Sequence, residues 1–321
     1  MTATMFTVGK AWQSQGISIA TEIDSAAGII KAGLNFEVAL EQLYTKGGIA
    51  VPGKYATVRT DNGQPLGVVG RRYRVVQNTN SFSAVDSVIG KGACLLHTAG
   101  SLGNGEIVWI LAKMPGHMMI VKDDVVEKYI MLVNRHDGQA SFQMMVTPIR
   151  LIGNTTLNIS VGGSTVSCMS ARHTTNVLDR IQDVEEFIRM AMDHYILFES
   201  KSKALVNKQV TPLVRTKFLT AIINRIYKDP KAKKSMSRAT DTWDTIVNLM
   251  DNGSGTTIAG VKGTAWAAFT AVAEFADYYR PTRKTNGSDA DTQRSKSLLF
   301  GDSQDLKQFA FDKISELVGV R

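Results

Sequence analysis

The sequence predicts an α+β protein: an antiparallel β-sheet with hairpins packed against helices, followed by a mostly helical C-terminal part. Two observations predict it. Turn pairs separate short β-branched or alternating runs in the first half, and apolar residues three and four apart take over after Gly163. The expected organisation is a core domain with β-hairpins over 1–162 and a helical domain over 163–321. The second domain carries a basic segment at 209–238 and a mobile linker at 281–297.

Each element has its own signal. "TEIDSAAGIIKAGLNFEV" sets Ile23, Ala27, Ile30 and Leu34 at helical spacing, with Gly33 as the stop. "YATVRTDNGQPLGVVG" is a hairpin whose Asn62-Gly63 pair suits a two-residue turn. "RRYRVVQN" then alternates Arg72, Arg74 and Val76 against Tyr73, Val75 and Gln77, the pattern of a strand. A short helix follows, capped by Asn80, with Phe82, Val85 and Ile89 facing inward. "EIVWILAKM" is apolar on both faces, as a central strand requires. "YIMLVN" and "ASFQMMVTPIRLI" flank the turn "RHDGQ", and Pro148 predicts an edge or a bulge in the second of these strands.

After Gly163 the pattern is helical. A long amphipathic helix carries Val177, Ile181, Val184, Ile188, Ala191, Tyr195 and Phe198. Thr211-Pro212 starts the next, and "DTWDTIVNLM" and "GTAWAAFTAVAEFADYYR" are two more, separated by the Gly- and Ser-rich loop "DNGSGTTIAGVKG". "SQDLKQFAFDKISELVG" closes the chain as a last helix.

Composition bounds the function. The 321 residues are 44% hydrophobic, enough to bury a core, and no apolar run approaches the ~20 residues that cross a bilayer, so no membrane partner is expected. The start has no charged region leading into an apolar one, and the two cysteines, Cys94 and Cys168, have no metal or redox spacing. A cytoplasmic location is the expectation. The balance is basic, 37 Lys and Arg against 29 Asp and Glu. Most of the excess lies between Gln209 and Arg238, where eight basic residues meet one acid, Asp229.

Catalytic signatures are missing. There is no GxxxxGK[ST] for nucleotide phosphates, no GxSxG, and the glycines of "GSLGNG" precede a strand instead of opening a helix. The histidines His97, His117, His136, His173 and His194 have no ligand spacing. His136-Asp137 sits in a predicted turn that Asp-Gly shapes, and Glu199 and Lys201 of "FESK" lack the second carboxylate that a metal-dependent nuclease needs. No catalytic residue, metal or cofactor is expected, and the chain reads as a non-enzyme.

Two basic features remain. Arg71, Arg72 and Arg74 suit either a solvated strand edge or phosphate binding, since the planar guanidinium fork matches phosphate oxygens. Lys54 and Arg59 on the preceding hairpin could join that patch, and Arg135 and Arg150 its other wall. Lys231, Lys233 and Lys234 in "KDPKAKKSMSR" form either a solvated interhelix loop or a looser phosphate contact.

The succession "KAWQSQG", "AGLNFEV", "YATVRTDNGQPLGVVGRRYRVVQN", "HTAGSLGNGEIVWILAKM", "NRHDGQASFQMMVTPIRLIGNTTL", "ARHTTNVLDRI" and "GTAWAAFTAVAEFADYYR" resembles the phage/plasmid-like protein family over nearly the full chain. That family is a domain-of-unknown-function group carried by bacteriophages, plasmids and prophages. The chain departs from it at Phe36, where the family usually has tryptophan, and at Gly153, where it has cysteine. The order of elements from Arg71 to Ser160 is also similar to that of single-strand-annealing recombination proteins. This resemblance implies ATP-independent binding of single-stranded DNA along a basic groove beside a β-hairpin. It further implies a homo-oligomer, ring or filament, and a possible partner exonuclease. The expected function is that of a phage or plasmid single-strand DNA-binding and annealing protein. The groove is expected at Lys54, Arg59, Arg71, Arg72, Arg74, Arg135 and Arg150, with Lys231, Lys233 and Lys234 as a second contact. The alternatives are a duplex DNA-binding regulator or replication accessory, and a host-interaction factor that binds no DNA.

Overall fold

The computed structural model describes residues 5–8, 17–19, 25–89, 95–161, 168–182, 184–229, 232, 235–281 and 302–320. It is an α+β protein with antiparallel sheets and with helices mostly in the C-terminal half. The chain divides into two compact units, each drawn from three stretches. One takes Met1–Pro115, Tyr129–Val146 and Cys168–Ala191; the other takes Gly116–Lys128, Thr147–Ser167 and Met192–Arg321.

The larger sheet has eight strands. These are β1 (Met5–Val8), β2 (Ile17–Ile19), β6 (Leu95–Leu102), β7 (Ile107–Val121), β8 (Asp124–Arg135), β9 (Phe142–Arg150), β10 (Thr155–Thr156) and β11 (Cys168–Ala171). Their order is β10-β9-β8-β7-β6-β1-β2, with β11 also on β9. β7 lies between β6 and β8, and Val108 to Ala112 are buried without alternation, which is the central strand that "EIVWILAKM" predicts. Pro148 falls between the stretch of β9 paired with β11 (Phe142 to Met145) and the stretch paired with β10 (Ile149 and Arg150). The proline with no N–H therefore stands where the second ladder is interrupted.

The smaller sheet has the order β3 (Val38–Tyr44), β4 (Ala50–Arg59), β5 (Pro65–Gly70). β3 has no counterpart in the sequence reading; its apolar residues do not alternate cleanly, and its burial is mixed. The β4–β5 connection also differs from the expected two-residue turn. Arg59 N–H donates to the Gln64 carbonyl (3.0 Å) and Gly63 N–H to the Arg59 carbonyl (2.9 Å), so Thr60 to Gln64 form a longer loop, with Gly63 at φ 69°.

A further correction falls on "RRYRVVQN". The strand ends at Gly70; Arg71 and Arg72 form a turn, and 73–77 run extended without a ladder. The reason is that the polar groups of this stretch have other partners. Tyr73 N–H bonds the Gly70 carbonyl, and the Gln77 amide side chain bonds both the N–H and the carbonyl of Val38, at 3.0 and 2.9 Å. Gln77 thus occupies the edge of β3 that a further strand would need.

The helices are α1 (Ser25–Lys31), α2 (Asn78–Ile89), α3 (Val177–Gln182), α4 (Val184–Val206), α5 (Pro212–Ile226), α6 (Met236–Asn252), α7 (Ala265–Glu274) and α8 (Asp302–Val318). Gly33 follows α1 at φ 64°, the expected stop. α2 begins two residues before the expected cap. α5 is capped by Thr211, whose hydroxyl accepts from Val214 N–H (3.3 Å). α7 is buried on every side, and the rings of Phe198, Trp266, Phe269 and Phe311 pack at centroid distances of 5.1 to 6.3 Å in the core of their unit. No described helix is long and apolar enough to cross a membrane.

Candidate nucleic-acid interface

Beyond Gly70, Arg71, Arg72 and Arg74 are exposed while Tyr73 and Val76 are buried. Tyr73 faces in. Its ring stacks on His173 (centroids 4.8 Å, interplanar 11°) and its hydroxyl donates to the Arg135 carbonyl (3.0 Å). Burial, with Asp137 nearby, pushes the phenol above its ordinary range. Two hydrogen bonds then tie residue 74 to residue 173: Arg74 N–H donates to the His173 carbonyl (3.0 Å), and His173 Nδ1 lies 3.1 Å from the Arg74 carbonyl. That carbonyl can only accept, so Nδ1 carries the proton.

Beneath the turn lies a buried polar cluster. Asn78 donates to the Leu34 and Phe36 carbonyls (3.0 and 3.3 Å), and its side-chain oxygen lies 2.9 Å from His136 Nε2. Asn134 donates to the Val76 carbonyl (2.7 Å), and the Thr57 hydroxyl donates to the His136 carbonyl (2.7 Å). Burial drives the His136 pKa down to about 3, with His173 adding to the fall and Asp137 opposing it. Burial also lowers His173, against its bond to the Arg74 carbonyl and the charge of Asp137. Both imidazoles are neutral at pH 7. The histidines therefore serve as rigid hydrogen-bonding posts. Close packing reinforces them: a Cβ on Gly67 would come within 2.5 Å of the Asp137 backbone, so β5 lies directly against the β8–β9 turn.

The outward residues are the arginines. Arg71, Arg72 and Arg74 are exposed, and none pairs with a carboxylate among the described residues. Arg172 is also exposed and unpaired among them, and the 74–173 pairing sets it on the backbone adjoining Arg74. The sequence reading missed Arg172, a lone basic residue in "ARHTTN" with no charged neighbour to mark it. Lys54 is exposed on β4, in register with Gly70, and so lies beside the turn.

The other expected groove residues are placed differently. Arg59 forks onto Asp61 (3.0 and 2.7 Å), donates to the Asn104 carbonyl (2.8 Å) and lies 3.8 Å above the Phe36 ring. Arg135 bonds Asp137 (3.1 and 2.5 Å) and Gln139 (3.2 Å). Both guanidiniums already have partners. Arg150 is a correction. Its side chain is 3% exposed and forks onto the buried Asp124 at 2.7 and 2.7 Å, while Trp266 Nε1 donates to the same carboxylate at 2.8 Å. A guanidinium so enclosed cannot reach a phosphate in solvent. A Cβ at Gly255 would meet that guanidinium at 2.1 Å, so the loop before α7 closes over it.

Lys231, Lys233 and Lys234 lie outside the described residues, as does all of the expected linker beyond Pro281. Glu199 pairs with Lys203 along α4 (2.7 Å). Among the described residues no three His, Cys, Asp or Glu side chains gather as metal ligands.

No curated protein matches the chain, and no solved structure does. A family model does match. It is described as "Domain of unknown function (DUF932)" and covers residues 65–299, from the strand that leads into the arginine turn to beyond α7. The chain belongs to the DUF932 family.

Proposed function

We propose that this protein binds single-stranded DNA and anneals complementary strands without ATP, as an oligomer in a ring or filament, on behalf of a bacteriophage or plasmid. One observation carries the reading: Arg71, Arg72, Arg74 and Arg172 are exposed without carboxylate partners among the described residues, whereas Arg59, Arg135, Arg150 and Arg215 each have one. Four adjoining arginines exposed together without a carboxylate among the described residues concentrate positive charge and free guanidinium forks in one place, which is a site for anions.

The geometry favours backbone binding over base reading. Tyr73, the aromatic ring within the turn, is stacked on His173 and 8% exposed, so it offers no platform for a base. Guanidiniums would neutralise the phosphates of one strand and leave its bases free. A second strand then pairs with them, and the stacking of the new duplex drives the reaction. The residues carrying this role are Arg71, Arg72, Arg74 and Arg172, with Lys54 beside them. A partner exonuclease would supply the single strand.

The test is annealing of two complementary dye-labelled oligonucleotides, without nucleotide or metal, at low and moderate salt. Acceleration over the protein-free rate that fades as salt rises is the expected result, with binding to single strands surviving duplex competitor. A protein that gives no acceleration and binds no single strand would remove the reading. Tight binding to duplex in preference to single strands would replace it with a regulator or replication accessory.

A further inference from the structure

Beside Arg172 the surface opens into a cleft of about 680 Å³, lined among the described residues by Ser141, Ser170, Arg172, Thr174, Thr175 and Asn176. Its construction follows from the strand ends. β11 pairs with β9 through Ala171 opposite Phe142 and Ser170 opposite Gln143, so Ser141 and Arg172 come next on the two strands. The chain then folds tightly, with Thr174 N–H donating to the Arg172 carbonyl (2.7 Å) and Val177 N–H to the Thr174 carbonyl (3.0 Å). His173 is drawn inward onto Tyr73, and Arg172 and the residues from Thr174 to Asn176 are left facing solvent.

The lining states what the cleft takes. Ligand pockets of this size are ordinarily apolar and aromatic with a few polar groups. Among the described residues of the lining every one is polar, one is cationic, and none is acidic, aromatic or aliphatic. The described lining offers a cation no carboxylate and a base no ring or aliphatic wall, whereas it offers an anion a guanidinium and neutral donors. The side chains of Ser141, Ser170, Thr175 and Asn176 have no hydrogen-bond partner among the described residues, so their donors are available. One guanidinium with a ring of hydroxyls and an amide matches a phosphate and the sugar attached to it.

We propose that this cleft seats one phosphate–deoxyribose unit of the bound strand. Arg172 takes the phosphate, and the side chains of Ser170, Thr175 and Asn176 bond its remaining oxygens and the sugar. The inference rests on the single-strand reading above and adds to it a fixed contact that ignores base identity. The strand is anchored at the cleft and runs onward over Arg74 and Arg72.

The experiment titrates wild type, Arg172→Ala, Ser170→Ala/Asn176→Ala and Arg72→Ala/Arg74→Ala with labelled oligo-dT and with an abasic backbone of equal length. Each titration is repeated over a range of salt, and thermal melting confirms that every variant is folded. Arg172→Ala should lose about tenfold in affinity, and its salt dependence should flatten by about 0.7 in slope, one phosphate contact on a single strand. Ser170→Ala/Asn176→Ala should lose about threefold to tenfold with an unchanged slope, because neutral donors release no counterions. Both losses should be the same on the abasic backbone.

Wild-type affinity in both cleft variants, with loss in Arg72→Ala/Arg74→Ala, overturns the cleft and leaves the single-strand reading standing. A loss on oligo-dT that is missing on the abasic backbone also overturns it, since the cleft would then hold a base. No binding by the wild type removes the single-strand reading and the cleft assignment with it.

Discussion

Arg150 lies against Asp124 with neither side chain more than 3% exposed, whereas the turn at Arg71–Arg74 holds three guanidiniums in water with no carboxylate among the described residues. Both belong to stretches that look alike in the sequence, a basic residue beside β-branched ones. What separates them is the partner that the fold brings up. The start of β8 delivers the Asp124 carboxylate to Arg150, the Trp266 indole N–H from α7 donates to that same carboxylate, and the loop at Gly255 covers the pair. At Arg74 the fold delivers His173, whose carbonyl and ring Nδ1 bond the Arg74 backbone and leave its side chain alone. In one region the guanidinium helps to hold the structure together; in the other the structure holds the guanidinium out.

That contrast predicts opposite responses to mutation. The largest effect falls on Asp124→Asn, which keeps the shape but leaves a buried charge on Arg150 unpaired, at a cost of about 3–5 kcal/mol. Urea denaturation should show the loss as a lowered midpoint, or the variant should fail to accumulate as folded protein. A midpoint like that of the wild type would mean that the pair contributes nothing. Next is pH. His136 binds a proton in the unfolded chain below 6.5 but in the folded protein only near 3, so the unfolded state takes up more protons in that window. The stabilisation is therefore complete above pH 6.5 and is lost as pH falls toward 3. By pH 5 the loss is about 2 kcal/mol from this residue, at ~1.4 kcal/mol per pH unit. His173 and His194, both lowered by burial, add to it in the same direction. Thermal melting between pH 7 and 5 should show the decline, and a His136→Asn variant, whatever its starting stability, should show a shallower one.

Arg59→Ala is intermediate. It loses the bond to the Asn104 carbonyl and the packing over Phe36, together about 1–2 kcal/mol in denaturant. The smallest effect on stability belongs to Arg72→Ala/Arg74→Ala, expected within about 0.5 kcal/mol of wild type. The same variant should weaken single-strand binding and flatten the salt slope by about 1.4, two contacts at ~0.7 each. A double variant that is destabilised but binds normally would erase the distinction between the two regions.

Much of this fold was legible in the sequence. Thr211-Pro212 starts a helix, Gly33 ends one, "RHDGQ" turns a hairpin and "EIVWILAKM" is a central strand, because each signal is local. The failures share a cause. A two-residue alternation reports an extended backbone, but it does not say whether the hydrogen bonds go to a neighbouring strand, and at 73–77 they go instead to Gly70, Val38 and His173. β3 escaped notice because its mixed burial leaves no clean period. Arg150 was misplaced since its partner is 26 residues away, and Arg172 was overlooked since its cationic neighbours come from the far side of a pairing 99 residues long. Residue type was readable in every case; partnership was not.

The division of the chain into interleaved units has a consequence for its birth on the ribosome. The chain passes between the two units five times, and the first unit needs Cys168–Ala191 to be complete. About three fifths of the polypeptide must therefore emerge before the first unit can finish folding, and a truncation at residue 162 removes the β11 strand that carries Ser170 and the segment that carries Arg172 and His173. A nascent chain stalled short of that point would display the arginine turn without the histidine that anchors it. Nucleic-acid affinity of the kind proposed would then arise late in synthesis, once the chain is long enough to fold away from the exit tunnel.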